Sequence, residues 1–416
     1  MKIAVIGGGV AGITAALSLS RAKHEVTLFE ASARLGGHAH AVHLSDEGGE
    51  ADVDLAFLIF NDGSYPFFGK LLAALGLSEL AVPTDMSMGY WSPAAELNYA
   101  VNAGWSGPLA GAGSGNTFQY VRLIREILKF RNGFHLYQAR AQGTGQSLEQ
   151  FLGKLGVSKN FGEAFVYPTA AAVWSVPSNE IRQFPAEVFF NFFHHHRLLK
   201  REKGHQWLTL QGSTALYLKR FSEVFAANGG LVRLSAPVKR VSRQDDHVLV
   251  GAERFDRAAI ATHANMALHL LAAPTEREAA LLGAWKYHAS ESVLHTDSSL
   301  LPARATARAS WNILTDTEGR HTVTYHLNRI QKSTLRQAYF LTLEDFGRRV
   351  DPSRVLGRYA FSHPVFTPAA MATQAQLPAL NQGTLSFCGS YFGLGFHEDA
   401  IRSACSAAAV FGGAPL

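Results

Sequence analysis

Near its start the chain carries an unbroken apolar run, residues 3–6, followed by glycines, the pattern of a strand buried on both faces of a parallel sheet. Beyond the glycines the period changes. Ile13, Ala16, Leu17 and Leu19 fall on one face of a helix over 13–22, and residues 25–29 form a second apolar strand. Strand and helix signals alternate through residues 1–60 and return over 205–290, with a helix at 214–227. Residues 65–204 read as helix-rich and aromatic, with Gly/Ser loops at 104–115 and 143–145. Residues 291–380 read as strands at 293–296, 309–314, 321–328 and 337–343, which predicts an antiparallel sheet. A last strand at 385–388 ends in Gly389, and an alanine-rich helix runs from about 399 to 411. The predicted class is α/β: a nucleotide-binding domain from residues 1–64, 205–290 and 381–416, interleaved with an α+β substrate domain from 65–204 and 291–380.

Composition narrows the picture. With 416 residues, 47% hydrophobic and 17% charged, the chain suits two or three globular domains and excludes wholesale disorder, coiled coil and collagen. Mean hydropathy is high for a soluble protein at +0.01, yet no apolar run is long enough to span a bilayer. The N-terminus begins a strand at once, without the layout of a signal peptide, so a cytoplasmic location is expected. A net charge of +5 fits an anionic membrane or substrate and is too small to argue for nucleic acid. Two cysteines, Cys388 and Cys405, can form neither a disulfide framework nor a four-cysteine zinc site, and read as buried free thiols.

The chemistry begins at Gly7-Gly8-Gly9-Val10-Ala11-Gly12, which fits G-x-G-x-x-G. Gly7 permits the tight turn, Gly9 lets the backbone approach a pyrophosphate, and Gly12 lets helix and strand pack closely. Backbone N–H groups at Val10 and Ala11, with the positive end of the helix dipole, suit the phosphates. Glu30, followed by Ala31, ends the second strand eighteen residues beyond Gly12, where a carboxylate can accept hydrogen bonds from an adenosine ribose. Strand, glycine loop, helix, strand and terminal acid in this order predict a Rossmann-like dinucleotide site. His194-His195-His196 is not read as a metal site, because adjacent helical side chains diverge and no Asp or Cys cluster accompanies them.

Arg34-Leu35-Gly36-Gly37 follows Glu30 directly, and Glu-x-x-x-Arg-x-Gly-Gly resembles the second phosphate motif of the flavoprotein group that includes amine oxidases and phytoene desaturases. The resemblance implies FAD, with Arg34, Gly36, Gly37 and His38 at the pyrophosphate and ring system. It further implies Val238 beside adenine, Thr262 ending a strand of the FAD domain, and Gly389, Ser390, Phe396, His397, Asp399 and Ala400 along the flavin. The C-terminal helix of that group points its N-terminus at the flavin N1/C2=O edge. His397 then reads either as a general acid or base, or as a hydrogen-bonding residue that moves no proton. Asp399 reads as a helix cap or a catalyst. His38 and His40 read as flanking the ring system or as structural contacts.

Further segments, 34–40, 53–61, 167–175, 293–297, 310–312, 361–366 and 393–402, together resemble a bacterial family of predicted flavin-containing amine oxidases, over essentially the whole chain. That family accompanies relatives of cyclopropane-fatty-acyl-phospholipid synthase and is tied to modified, including furan, fatty acids. The resemblance therefore implies an FAD-dependent oxidoreductase acting on an unsaturated or methyl/cyclopropane-modified acyl chain, with that methyltransferase-like synthase as a partner. Alternatives are a double-bond isomerase, an amine oxidase, and a non-catalytic flavoprotein serving the synthase. Two departures weigh against amines: residues 291–297 contain no lysine where amine oxidases carry one, and Ser390 stands where an acid is common. Two aromatic and basic stretches, 118–134 and 188–203, read either as core-facing helices with solvated basic faces or as helices lying on an anionic membrane, one of them bordering a substrate entrance. The second reading places the protein at the periphery of the inner membrane.

Overall fold

The computed structural model of the chain describes residues 1–92, 97–101, 117–174, 180–197, 205–302, 304–343 and 349–416. The fold is mixed α/β. A five-stranded sheet is parallel throughout, in the order Leu231–Arg233, Glu25–Phe29, Lys2–Ile6, Arg257–Ile260, Leu385–Phe387. Its central strand is buried on both faces: helices Val10–Arg21 and His397–Ala409 share a core with Ile3 and Val5 on one, and the small antiparallel sheet Val241–Arg243, Val248–Val250, Glu253–Phe255 packs with Ala4 and Ile6 on the other, which explains the unbroken apolar run. Helix Val10–Arg21 packs against helix His397–Ala409. Both bury alanines there, Ala15 and Ala16 on one and Ala404, Ala407 and Ala408 on the other, and small side chains let the axes approach.

The second layer is a seven-stranded sheet in the order Val355–Val365, Lys286–His295, Phe340–Leu343, His321–His326, Trp311–Thr315, Met88–Ser92, Leu97–Val101. Its pairs are antiparallel except Trp311–Thr315 with Met88–Ser92. The antiparallel sheet expected over 291–380 is thus part of a larger one that takes two strands from the stretch read as helix-rich. Strand Lys286–His295 runs across the boundary drawn at 290/291. Helix Pro66–Ala74 shares a core with the parallel sheet through Phe68, Leu71 and Leu72, so the boundary at 64/65 divides residues that pack together. Strand Ala81–Pro83 pairs with Trp207–Leu210, where the chain returns to the parallel sheet.

Helices Thr117–Ala141 and Ala186–His195 pack on each other through a phenylalanine core. Phe190 meets Phe130, Phe134 and Phe151 at ring-centroid distances of 5.7, 5.4 and 5.0 Å. Truncating one such ring to alanine costs about 3–5 kcal/mol. Phe189, Phe190, Phe192 and Phe193 are all buried, so the apolar face of this segment is used by the core. The cations expected at 200–203, the loop at 104–115 and Ser175 lie outside the described residues.

Candidate active site

The glycine loop joins the first strand to the first helix. Gly7 adopts a φ of +105° and donates to Phe29 O, and a β-carbon there would come within 2.8 Å of Ala261 O. Gly12 lies so close under the strand that its β-carbon would sit 1.7 Å from Gly7 O. Gly9 is the opposite case: a β-carbon there would meet no heavy atom within 4 Å. It precedes helix Val10–Arg21, whose N-terminus has no side-chain cap, and Gly9, Val10 and Ala11 line a cavity of about 630 Å³. The open space, the uncapped first turn and its dipole form an anion cradle. Glu30 also lines this cavity, its carboxylate accepting from Gly8 N at 2.6 Å and Ser32 N at 2.8 Å.

The second glycine pair closes on the first. Gly36 N donates to Gly8 O at 2.8 Å, and Gly37 faces Gly9. The Arg34 guanidinium donates to Leu35 O, Ala39 O and Gly37 O, so a fixed cation stiffens the loop at the cavity edge. Thr262, Gly389, Ser390, Phe396, His397 and Ala400 line the same cavity. The sequence therefore brings most of its predicted site residues together from both ends of the chain.

Four predicted residues do not line the cavity. Gly12 acts through the helix–strand approach. Ala31 is exposed. Val238 packs half-buried on the apolar core, although the bend after strand Leu231–Arg233 is tied to the Glu30 turn by Ser235 N to Ser32 O and Ala236 N to Glu30 O. Asp399 turns its carboxylate to its own turn, accepting from Leu394 N at 2.9 Å and Phe396 N at 3.1 Å and pairing with Arg402 at 2.7 Å. It is a helix cap. Its neighbour Glu398 accepts from Phe67 N and Phe68 N and so caps helix Pro66–Ala74.

His397 stacks on Phe57, with ring centroids 3.8 Å apart and planes 10° from parallel, and its Nε2 lies 3.3 Å from the Tyr217 hydroxyl. Burial pulls its pKa down to about 3. The ring is therefore neutral at physiological pH. Three further histidines surround the cavity. His38 lies 5.0 Å from His363 and 5.9 Å from His263, and His263 stacks on Tyr287 at 4.3 Å. Burial lowers all three, His38 well below the usual range and His363 to about 4, and their proximity adds to the effect for His38 and His363. His40 sits aside, edge-on to Tyr359. His263 and His363 were not predicted as site residues. The available signals were weak: a histidine directly after the strand ending Ala261-Thr262, and a histidine before Pro364. Of the triplet, His196 is buried against Phe192 and Trp207 and meets Asn61. Among the described residues no group of three or more His, Cys, Asp or Glu side chains could hold a metal ion.

The rest of the wall is mostly aromatic and aliphatic, including Trp174, Phe192, Trp311, Tyr325 and Phe361, with Ser292 and Ser362 among them. The volume falls within the range of about 300–1,000 Å³ usual for small-molecule and cofactor sites. Two observations fit FAD. The open position at Gly9 on an uncapped helix suits a pyrophosphate, and the buried His38 Nε2 has no protein partner.

The model of the family described as flavin containing amine oxidoreductase matches residues 10–410. The chain belongs to this family. It is accordingly an FAD-dependent oxidoreductase. As a member, it resembles the cyclohexylamine oxidase of Brevibacterium oxydans, with a TM-score of 0.71, 16% identity and 98% of each chain covered. It also resembles a solved fatty acid isomerase from P. acnes, described as CLA-producing, with a TM-score of 0.66, 13% identity, and 97% of this chain and 96% of that one covered. At such identities the likeness shows the shared fold. An L-amino-acid oxidase of Siganus canaliculatus is 36% identical over 70 residues, 17% of this chain and 13% of that protein's length.

Proposed function

We propose that this flavoprotein oxidises an unsaturated or methyl- or cyclopropane-modified fatty acyl chain, furan fatty acid formation being one such reaction. The observation that carries the reading is the cavity wall. Among the described residues Glu30, held at the glycine loop, is the only carboxylate lining it, and the remainder is dominated by aromatic and aliphatic side chains. Such a wall suits a chain bound by burial, at about 25 cal/mol per Å² of apolar surface. An alkylammonium would find no second carboxylate there.

Bound FAD supplies the two-electron acceptor. Residues 7–12, Glu30 and the Arg34–Gly37 loop would hold its phosphates and ribose. The chain's own part is to orient the acyl chain and keep water out, through the rings of Trp174, Phe192, Trp311 and Phe361. We assign His397 and His38 hydrogen-bonding roles: burial holds the pKa of His38 well below the usual range, and His397, titrating near 3, is poorly matched to general base work at neutral pH. A double-bond isomerase is a second reading, favoured by the fold shared with the isomerase from P. acnes. A cyclopropane-fatty-acyl synthase-like methyltransferase is the proposed supplier of the chain.

The test is anaerobic addition of candidate acyl lipids to the yellow protein. Bleaching of the flavin by a modified acyl chain is the expected result. A shifted double bond without net reduction would favour the isomerase. Bleaching by primary amines and by no lipid would overturn the proposal. No reaction, together with a stable complex with the synthase, would replace it by the accessory role.

A further inference from the structure

Among the described residues, the first of the two aromatic and basic segments has an unburied apolar face. Helix Thr117–Ala141 turns Leu123, Phe130, Phe134 and Ala141 into the core. At 100° per residue, its exposed positions among the described residues, from Phe118 to Arg140, occupy a single arc of about 140° on the opposite side. Phe118 is 77% exposed, Leu136 63%, and Val121 and Leu128 42% each. Arg122, Arg125, Lys129 and Arg140 share that arc, and no Asp or Glu lies on it. The helix has one acid, Glu126, whose carboxylate turns away to accept from Ser158. On the wheel Val121 and Leu128 lie along one flank, Arg122, Lys129 and Arg140 along the other, and Phe118, Arg125 and Leu136 between them.

We propose that this face docks the protein on an anionic phospholipid bilayer. The occupant follows from charge complementarity joined to apolar exposure. Four cations without a carboxylate seek an anionic surface, and four uncovered hydrophobic side chains require one they can enter, which headgroups over acyl chains provide. The helix, about 37 Å long, would lie in the plane of the interface, its buried face keeping the packing described above. Among the described residues no helix is long and apolar enough to cross the membrane, so the contact would be peripheral. The inference is independent of the substrate: it holds or fails whatever the flavin oxidises.

The test is co-sedimentation of the FAD-loaded protein with vesicles of phosphatidylcholine alone or mixed with phosphatidylglycerol, at low and high salt. Binding to the mixed vesicles that weakens with salt is expected. Each lost cation should lower the partition coefficient about fivefold, so R122E/R125E/K129E should lower it at least about a hundredfold, while F118S/L136S lowers it at both salt concentrations. Flavin content and circular dichroism confirm that each variant is folded. Failure of the wild type to bind mixed vesicles, or equal binding by the charge-reversed variant, would overturn the proposal. So would a wild-type dimer that F118S/L136S converts to monomer, since the face would then belong to a second copy.

Discussion

Two glycines three residues apart should respond in opposite ways to one added methyl group. At Gly9 the backbone has φ −72° and ψ 179°, which any residue adopts, and a β-carbon meets nothing within 4 Å. Alanine removes freedom from the unfolded chain, worth about 0.4–1 kcal/mol, and loses a similar amount as a poorer residue at the start of the helix. The apoprotein of Gly9→Ala should therefore stay within about 1 kcal/mol of wild type. The methyl group, however, occupies the space open to the pyrophosphate. Loss of one or two hydrogen bonds to a charged group, at about 1.5–3 kcal/mol each, weakens FAD binding by about 10-fold to beyond 100-fold. In Gly12→Ala the β-carbon falls 1.7 Å from Gly7 O, in backbone that cannot swing aside. Helix and strand must separate, and the apoprotein itself should lose about 3 kcal/mol or more. Urea denaturation of the two apoproteins and fluorescence titration with FAD measure both quantities. Unchanged FAD affinity in Gly9→Ala, or equal apoprotein stability in Gly12→Ala and wild type, would refute the assignment of these glycines.

Two further outcomes follow from buried ionisable groups. Asp54 is pushed up to about 7 by burial, against hydrogen bonds from Thr214 and Gln331. The fold thus favours the protonated acid, and that stabilisation is fully present below the unfolded value of 3.8 and lost as pH rises through about 7. Relative to Asp54→Asn, the wild type should lose about 2–3 kcal/mol between pH 5 and 8 in urea denaturation, and parallel curves would exclude the effect. For His397, held neutral down to about pH 3, the pH–rate profile should show no inflection near 6.5 that belongs to it. An inflection there that disappears in His397→Gln would restore it as a proton carrier.

The nucleotide-binding half was legible because its signals are local. The apolar strand at 3–6, the glycine spacing and Glu30 lie within one βαβ stretch whose geometry each residue helps to fix. The cavity's far wall was harder to read. Strand Val355–Val365 carries Phe361 and His363 to the cavity, yet it includes Gly357 and Pro364, and its half-buried and exposed positions alternate only over 355–360 before Phe361 is buried and 362–365 are all half-buried, so no sustained period-two pattern stands out. The phenylalanines at 189–193 and at 118 look alike in sequence. The first four are buried and Phe118 is not, because helical spacing records that a face is apolar and not what covers it. His263, just after strand Arg257–Ile260, and His363, on strand Val355–Val365, meet His38 across two different sheets, which the chain's local pattern does not encode.

The strand order of the parallel sheet bears on how the protein is made. Its centre is laid down first and its edge at Leu385–Phe387 nearly last, with the cavity-lining turn at Gly389–His397 later still. At about 5–20 residues per second, synthesis of the stretch between them takes about 20–80 s, and a nascent chain holds only a partial flavin pocket throughout that time. Strand Arg257–Ile260, paired with Lys2–Ile6 on one side and awaiting its last neighbour on the other, then presents an unpaired edge that a chaperone or another nascent chain can reach.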